Sequence, residues 1–308
     1  MTLPPTLAGR FAEILGDEYV EYKDALSSPP RSCLRVNTLK ATVKEVRGLA
    51  GEAGLVLDPV PWCPTGFWID ECGHGLGDSV AHFQGLFYLE DAASLLPPEI
   101  LNPSPESVVL DAAAAPGGKT THISALMENS GAIAANEVDA HRTRVLRFNL
   151  SRMGVLNAAV TTHDMSVRPD VGRIFDKVLL DAPCSCEGRI GDDAEALALW
   201  KPSRVQRCSR LQERLIESCF GLLAPGGLLI YSTCTLSPEE NEGVIDALLR
   251  KHGDADVEEI SIIPPRHAVG VTEWRGTRYD DRMTRCVRLY PHHHGTQGFF
   301  VARILRCR

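Results

Sequence analysis

The stretch DAAAAPGGKT at 111–120 most constrains what this chain can fold into. The residues before it, SVVL, are mainly apolar and β-branched, which is typical of a buried parallel strand. The residues after it carry apolar side chains at helical spacing and predict a helix. A strand, a tight turn of small residues and a helix N-terminus bring bare backbone to the carboxyl edge of a sheet. We therefore predict that a ligand lies against this loop.

The composition of the loop narrows the kind of ligand. Its end, Gly118-Lys119-Thr120, matches the end of the phosphate-binding pattern G-x-x-x-x-G-K-[ST], but Ala113 stands where that pattern has its first glycine. The dinucleotide pattern G-x-G-x-x-G is also absent. The loop predicts a nucleotide-binding site of some kind, with a purely structural turn as the alternative.

Strand and helix patterns alternate through the rest of the chain. The predicted strands are 107–111, 132–137, 159–164, 177–183 and 228–234, with later strands near Val257, Val287 and Phe300. This alternation predicts an α/β fold with a doubly wound sheet covered on both faces. Ligands of such sheets bind beyond the carboxyl ends of the strands. The residues that stand there are Asp111, Glu137, Asp164, Asp181, Cys184 and Cys234.

The first third of the chain predicts a separate small α+β unit. Its predicted elements are helices at 7–26 and 43–53 and strands at 33–39 and 55–60, followed by a short apolar stretch at 86–89. Prolines between 97 and 105 mark the boundary. We therefore expect one domain at 1–104 and a second at 105–308.

Glu137 has the position of a ribose-binding residue. An acidic residue that ends the second strand, about 20 residues beyond the glycine loop, pairs with ribose hydroxyls in dinucleotide-binding sheets. The alternative is an ordinary carboxylate facing solvent.

Two cysteines end two predicted strands. If those strands are neighbours, their Cα atoms lie about 5 Å apart, and Cys184 and Cys234 face one cavity. Three alternatives compete with reactive thiols: a disulfide, which a reducing compartment disfavours; inert buried thiols; and a zinc site that includes Cys186. The zinc site lacks a clear fourth ligand, with the histidines at 292–294 as candidate donors. We predict no metal.

The composition of the chain limits the cellular compartment and the kind of partner that we expect. The 308 residues show no signal peptide and no apolar run that could span a membrane, and the 10 cysteines are scattered, so we expect reduced thiols in the cytoplasm and no membrane association. The net charge of −8 argues weakly against a nucleic-acid partner. Arginines nevertheless cluster at 142–152, 204–214 and 266–288, either as phosphate-binding surfaces or as solvated helix faces.

Several motifs together resemble the RNA (cytosine-5)-methyltransferases of the Nop/Sun type. The motifs are DAAAAPGGKT at 111–120, DAPCS at 181–185, STC at 232–234, RVNTLK at 35–40, PGG at 225–227 and GFFVA at 298–302. The resemblance spans nearly the whole chain. The pairing of Pro-Cys on one strand with Thr-Cys on the next is its most specific part, since DNA enzymes of this chemistry use the Pro-Cys cysteine as nucleophile.

The resemblance implies S-adenosylmethionine as cofactor, a Rossmann-like methyltransferase domain and an RRM-like RNA-binding domain at the N-terminus. The cofactor loop would be Ala113, Ala114, Ala115, Pro116, Gly117, Gly118 and Lys119. Glu137 matches the ribose acid, Asp164 the residue that binds adenine, and Asp181 the residue between cofactor and target base. Cys234 matches the nucleophile, and Cys184 the second cysteine, which helps the product leave. Lys119 is also a candidate to support the thiolate.

The implied reaction is methylation of C5 of cytosine in RNA through a covalent bond between Cys234 and C6. The chain resembles a minimal, archaeal-like form, for which we expect tRNA as substrate, with ribosomal RNA second, and infer no obligate protein partner. A catalytically idle RNA-binding assembly factor is the alternative.

Two departures from the family pattern, Ala113 for Cys and Cys186 for Gly, are expected to have no catalytic role. Trp200 and Phe83 are candidates to stack on bases, or else core residues.

Overall fold

A computed structural model describes residues 3–69, 76–170 and 175–308. The helices are α1 (Pro5–Leu15), α2 (Tyr19–Ala25), α3 (Val43–Glu52), α4 (Val80–Phe83), α5 (Leu96–Leu101), α6 (Gly118–Leu126), α7 (Ala140–Met153), α8 (Ala194–Leu199), α9 (Pro202–Leu222), α10 (Glu242–Lys251) and α11 (Pro291–His294). The first strands are β1 (Cys33–Val36), β2 (Leu57–Pro59), β3 (Gly66–Ile69), β4 (Phe87–Leu89), β5 (Val108–Asp111), β6 (Ala132–Asn136), β7 (Ala158–Thr161) and β8 (Phe175–Asp181). The remaining strands are β9 (Leu223–Thr233), β10 (Ala255–Glu258), β11 (Ala268–Val269), β12 (Glu273–Trp274), β13 (Thr277–Arg278), β14 (Val287–Leu289) and β15 (Phe299–Arg306). No helix of the described ranges is long and apolar enough to cross a membrane.

The N-terminal sheet has the topology of an RRM. Its antiparallel strands are ordered β2-β3-β1-β4, and the elements follow one another as β1, α3, β2, β3, α4 and β4. Helix α3 begins with a capping box: Glu45 N donates to Thr42 Oγ1 at 3.2 Å, and Thr42 N donates to Glu45 Oε2 at 2.7 Å. The apolar face of α3 then packs on the sheet. The expected RRM-like unit is confirmed.

The larger sheet is a doubly wound methyltransferase-type sheet with an antiparallel extension. Strands β9-β8-β5-β6-β7 are parallel, while β15, β14, β11 and β10 add antiparallel strands beyond β9. The chain winds from β5 outward through β6 and β7, and then returns to β8 on the other side of β5. The strand order therefore reverses between β5 and β8, which is where such sheets bind ligands. The predicted fold class is confirmed.

Helix α9 covers one face of this sheet. It spans 21 residues and buries an apolar stripe that includes Leu215, Ile216 and Phe220. Each such side chain stabilises the fold by about 1.5–3 kcal/mol when fully buried. Strand β9 begins at the residue after α9, so the helix directly positions the strand that leads to Cys234.

The two sheets are joined through Arg35, which is fully buried although it carries a charge. From β1 its Nη2 donates to Gly118 O at 3.1 Å and to Thr121 Oγ1 at 2.8 Å, and its Nε donates to Glu90 Oε1 at 3.0 Å. The N-terminal sheet is thus attached to the first turn of α6. The division of the chain at residue 104 stays a prediction.

One local expectation was wrong, and one strand was not predicted. The predicted helix at 7–26 is interrupted at Gly16, whose φ of 54° lies in the left-handed region that ends α1. Strand β3 was missed because all of its residues are buried, so its sequence shows no alternation of polar and apolar positions.

Candidate active site

The loop after β5 is held by a buried carboxyl group. Asp111 ends β5 and accepts a hydrogen bond from Thr120 Oγ1 at 2.6 Å, which fixes the first turn of α6 against the strand. Burial raises the pKa of Asp111 to about 6, although the bond from Thr120 acts in the opposite direction. Asp111, predicted at the end of a strand, therefore holds the loop by binding the first turn of α6.

Backbone conformation and close packing favour glycine at two positions of the loop. Gly117 has a φ of 110°, which side chains rarely adopt. A Cβ atom at Gly118 would lie 3.0 Å from Glu90 Oε2 and 3.1 Å from Tyr88 Cε1. The end of β4 therefore rests directly on the loop.

A cavity of about 250 Å³ opens between the loop and the end of β4. It is lined by Tyr88, Leu89, Glu90, Ser94, Asp111, Ala113, Ala114, Ala115, Pro116, Gly118, Lys119 and Asp181. Most residues of the predicted cofactor loop thus surround one space together with Asp181. Gly117, Glu137 and Asp164 lie outside this lining.

Asn136, which sequence reasoning missed, holds three strand ends together. Its Nδ2 donates to Ala112 O at 3.2 Å and to His163 O at 3.0 Å, and its Oδ1 accepts from Thr161 Oγ1 at 2.9 Å. The available signal was a polar residue at the end of an otherwise apolar strand. Asn136 therefore sets the position of the residue that follows it, Glu137.

Glu137 is buried beside the loop and keeps one oxygen free of hydrogen bonds. Its Oε1 accepts from Asp139 N at 2.9 Å, while Oε2 lies 3.2 Å from Arg142 Nη1 without the alignment of a hydrogen bond. Arg142 Nη2 also donates to Ala115 O at 2.7 Å, so Arg142, another missed residue, connects the carboxylate to the loop. Asp164 is exposed, and hydrogen bonds from Ser166 lower its pKa.

Lys119 and Asp181 form an ion pair on the floor of the cavity. Lys119 Nζ lies 2.7 Å from Asp181 Oδ2, and Ser232 Oγ donates to Asp181 Oδ1 at 2.8 Å. The parallel pairing of β8 with β9 places Asp181 directly opposite Ser232. Burial alone would lower the pKa of Lys119, but the charge of Asp181 raises it, so the lysine stays protonated.

The two strand-end cysteines face each other. The Sγ atoms of Cys184 and Cys234 lie 3.2 Å apart, and all three sulfurs of the cluster formed with Cys186 lie within 4.8 Å of one another. Hydrogen bonds from Cys186 and Cys234 raise the pKa of Cys184. The bond with Cys184 acts to lower the pKa of Cys234, but Cys186 and burial outweigh it. Hydrogen bonds with Cys184 and Cys234 lower the pKa of Cys186.

The three thiols have the chemistry of a site for a thiophilic metal, but the candidate fourth donors are engaged elsewhere. The Nε2 atoms of His292 and His293 each lie 2.8 Å from Glu18 Oε2. That carboxylate oxygen also lies 3.3 Å from Arg266 Nη2. The histidine cluster therefore joins the N-terminal helices to α11.

A buried network fixes the residues that follow both cysteines. Glu240 Oε2 accepts from Ser185 N and from Gln212 Nε2, each at 2.9 Å. Ser185 Oγ lies 2.8 Å from Thr235 Oγ1, which in turn donates to Glu187 Oε2 at 3.1 Å. Burial raises the pKa of Glu240 to about 8. The network could not be found from sequence because its members are far apart along the chain.

The remaining candidates differ in accessibility. Trp200 is half-buried and donates through Nε1 to Glu187 Oε1 at 2.8 Å, so it supports the network around Glu240 and Glu187, whereas Phe83 is exposed.

The arginines at 266–288 mostly pair with acidic residues. Those at 204–214 form no ion pair with any described residue.

The site fits S-adenosylmethionine. The small residues of the loop leave backbone accessible beside the cavity, and a Cβ at Gly118 would fill part of it. Oε2 of Glu137 receives no hydrogen bond and is a buried acceptor suited to a ribose hydroxyl.

Comparisons with known proteins agree with this geometry. Residues 98–305 match the family model of the 16S rRNA methyltransferase RsmB/F, and residues 3–92 match the N-terminal domain of 16S rRNA methyltransferase RsmF. A tRNA (cytosine(49)-C(5))-methyltransferase of Pyrococcus abyssi is 40% identical over 98% of this chain and 96% of its own length. The ribosomal RNA small subunit methyltransferase F of Vibrio atlanticus is 44% identical over 90% of this chain, which spans only 58% of that relative.

Solved structures show the same fold. A methyltransferase homolog from Pyrococcus horikoshii superposes with a TM-score of 0.87 at 35% identity and covers 98% of this chain and 94% of its own. NSun6 from the same organism, solved with SFG, gives a TM-score of 0.85 at 27% identity over 99% of both chains. The chain therefore belongs to the RsmB/F family of S-adenosylmethionine-dependent RNA cytosine methyltransferases.

Proposed function

We propose that this protein methylates C5 of cytosine in RNA through a transient covalent bond between Cys234 Sγ and C6 of the base. The observation that supports this most directly is the 3.2 Å separation of the Cys184 and Cys234 sulfurs at the ends of paired strands. The Lys119–Asp181 pair joins the cofactor loop to the strand that leads to Cys184, because Lys119 belongs to the loop and Asp181 ends that strand.

The chemistry explains why a thiol is needed. C5 of cytosine is a weak nucleophile until a thiolate adds to C6, which moves the ring electrons onto C5. The bound cofactor supplies the methyl group that C5 takes. A base then removes the C5 proton, the C6–S bond breaks, and its electron pair returns to Cys234 as thiolate. The last step releases Cys234 from C6, so the enzyme returns to its starting state.

The surrounding residues have separate tasks in this proposal. Asp181, oriented by Lys119 and Ser232, is placed to accept from the exocyclic amine of the base. Cys184 has a raised pKa and is a neutral thiol at pH 7, so it can donate a hydrogen bond to the Cys234 sulfur as that sulfur leaves. Glu137 accepts from the ribose of the cofactor in this proposal, and Arg142 links Glu137 to the cofactor loop.

The RNA must present an accessible base. A cytosine stacked in a duplex is out of reach, so the target lies in a loop or is flipped out of its helix. We propose tRNA as the substrate, supported by the Pyrococcus abyssi relative, which aligns with 98% of this chain. Ribosomal RNA is the second candidate, supported by the match of residues 3–92 to the RsmF N-terminal domain. Bisulfite sequencing of RNA from a deletion strain decides between them. We place the reaction in the cytoplasm, where thiols remain reduced.

Two single-cysteine variants test the mechanism. Cys234→Ala should abolish turnover and form no adduct. Cys184→Ala should still allow attack and methyl transfer but stall before release, giving a protein–RNA band that survives denaturing gel electrophoresis. The double variant should lose that band. An adduct in Cys234→Ala and none in Cys184→Ala would instead assign the nucleophile to Cys184, while no adduct and undiminished turnover in all variants would support neither.

The cofactor site is tested separately by calorimetry. Binding of S-adenosylmethionine should survive a chelator and weaken in Glu137→Ala, because a buried acceptor for the ribose is lost. Binding of ATP without binding of S-adenosylmethionine would contradict the proposal and favour a phosphate-binding loop.

A further inference from the structure

A second cleft, about 590 Å³ in volume, lies between the N-terminal sheet and α7. It is lined by Gly77, Asp78, Ser79, His82, Phe83, Tyr88, Leu89, Phe148, Asn149 and Arg152. Tyr88 and Leu89 also line the cofactor cavity, so the two spaces share a wall. Its volume falls within the range of roughly 300–1,000 Å³ that small-molecule sites occupy.

Two aromatic rings are exposed in this cleft. The chain has 9 phenylalanines, of which all but two are buried. The two exceptions, Phe83 with 73% and Phe148 with 57% of its surface exposed, both line the cleft. No tyrosine or tryptophan within the described ranges is exposed to this degree. Exposed aromatic surface is unfavourable in water unless a partner covers it, so its confinement to one cleft indicates a binding surface.

Positive charge flanks these rings. Arg144, Phe148 and Arg152 follow one another at intervals of four residues and therefore share a face of α7. Arg144 is exposed and forms no ion pair with the residues that the structure describes. Arg152 lines the cleft, with its guanidinium 5.5 Å from the centre of the Tyr88 ring. Asp78 is the acidic side chain of the lining. Flat rings beside guanidinium groups match a nucleotide, whose base stacks while its phosphate pairs with arginine.

We propose that this cleft binds unpaired nucleotides that flank the target cytosine in the substrate RNA, with their bases stacked on Phe83 and Phe148. The inference rests on the proposed function, since it assumes an RNA substrate. The wall shared with the cofactor cavity places a bound nucleotide next to the catalytic site. Proteins recognise single-stranded RNA by such stacking, and each stacked base contributes a large part of the affinity.

The test compares leucine and tyrosine substitutions at both positions. The probe is a short single-stranded RNA with one cytosine, end-labelled for anisotropy, and a second version with 2-aminopurine beside the cytosine. Phe83→Leu and Phe148→Leu should each weaken binding about 5- to 150-fold, which corresponds to about 1–3 kcal/mol per stacked base. Phe83→Tyr and Phe148→Tyr should retain affinity, because the ring is kept. The quenching of 2-aminopurine should be lost only in the leucine variants.

The control is Leu156→Ala, which removes an apolar side chain that is 84% exposed and lies outside the cleft. It should bind RNA normally, and all variants should bind S-adenosylmethionine normally in calorimetry. Wild-type affinity in the leucine variants of an enzyme that methylates RNA would overturn the inference while leaving the proposed function intact. RNA affinity kept in Phe83→Leu and Phe148→Leu together with unchanged 2-aminopurine quenching would also overturn it, because the contact would then be generally apolar, as for a protein partner. Wild-type protein that neither binds nor methylates RNA would refute both.

Discussion

Glu240 should make the stability of this enzyme depend on pH. Burial raises the pKa of this carboxyl group from the ordinary 4.5 to about 8 in the folded protein. The folded state therefore holds a proton that the unfolded state releases. The resulting stabilisation is fully present below about pH 4.5 and is lost as the pH rises through about 8. At about 1.36 kcal/mol per pH unit, the total is about 5 kcal/mol, of which about 4 kcal/mol falls between pH 5 and 8.5.

Glu240→Gln removes the titration while keeping the shape of the side chain. The amide oxygen can take the place of Oε2, which accepts from Ser185 N and Gln212 Nε2. The amide NH₂ then faces Thr235 Oγ1, which lies 3.5 Å from Oε1. Urea unfolding across this pH range should show wild-type protein losing a few kcal/mol relative to the variant, which becomes the more stable of the two at pH 8.5.

The matched control is Glu106→Gln, which changes an exposed carboxylate and should leave the pH dependence of the wild type unaltered. If Glu240→Gln shows the same pH dependence as wild-type protein, Glu240 does not titrate between these limits. If the variant is instead less stable at pH 8.5, the donors around Glu240 stabilise its ionised form and the reasoning from burial is refuted.

Three further changes test single contacts. Gly188→Ala should lower the free energy of unfolding by about 1–3 kcal/mol, because the added Cβ would lie 2.0 Å from Gly298 O; thermal denaturation measures this. Cys186→Gly should slow alkylation of the sulfur cluster at pH 6–7, because the thiol with the lowered pKa is removed; mass mapping of iodoacetamide adducts measures this, and unchanged labelling would contradict the assignment. Arg288→Met should cost about 3–5 kcal/mol in chemical unfolding by leaving Glu242, 2.7 Å away and fully buried, without its ion-pair partner, and Glu242→Gln in the same chain should recover part of the loss.

The sequence predicted the sheet well because its strands are marked locally. Apolar runs that end in a polar or sulfur-bearing residue locate β5, β6 and β8 to within a few residues, and loop residues locate the cavity. The proximity of Cys184 and Cys234 followed from the expectation that their strands are neighbours, which the pairing of β8 with β9 confirms. Such sequence patterns do not depend on contacts with distant segments of the chain, so they can be found from the sequence alone.

The supporting residues could not be predicted, because their role depends on contacts between distant segments. Arg142 resembles any exposed helix arginine until Glu137 and Ala115 are seen to lie on either side of it. Glu240 shows its role only when Ser185 is adjacent. The sequence predicts no catalytic role for Cys186, yet this residue has a φ of 64° and its sulfur lies within 4.8 Å of the other two. Such arrangements are properties of tertiary structure rather than of spacing.

The wall that β4 contributes to the cofactor cavity connects the N-terminal sheet with the cofactor loop. Glu90 lies at the end of the RRM-like sheet, lines the cofactor cavity and is held by Arg35, which also binds the first turn of α6. We therefore expect a ligand that shifts either sheet to change the free energy of binding at the other. Such coupling is reciprocal: whatever factor the cofactor applies to RNA affinity, RNA applies to cofactor affinity.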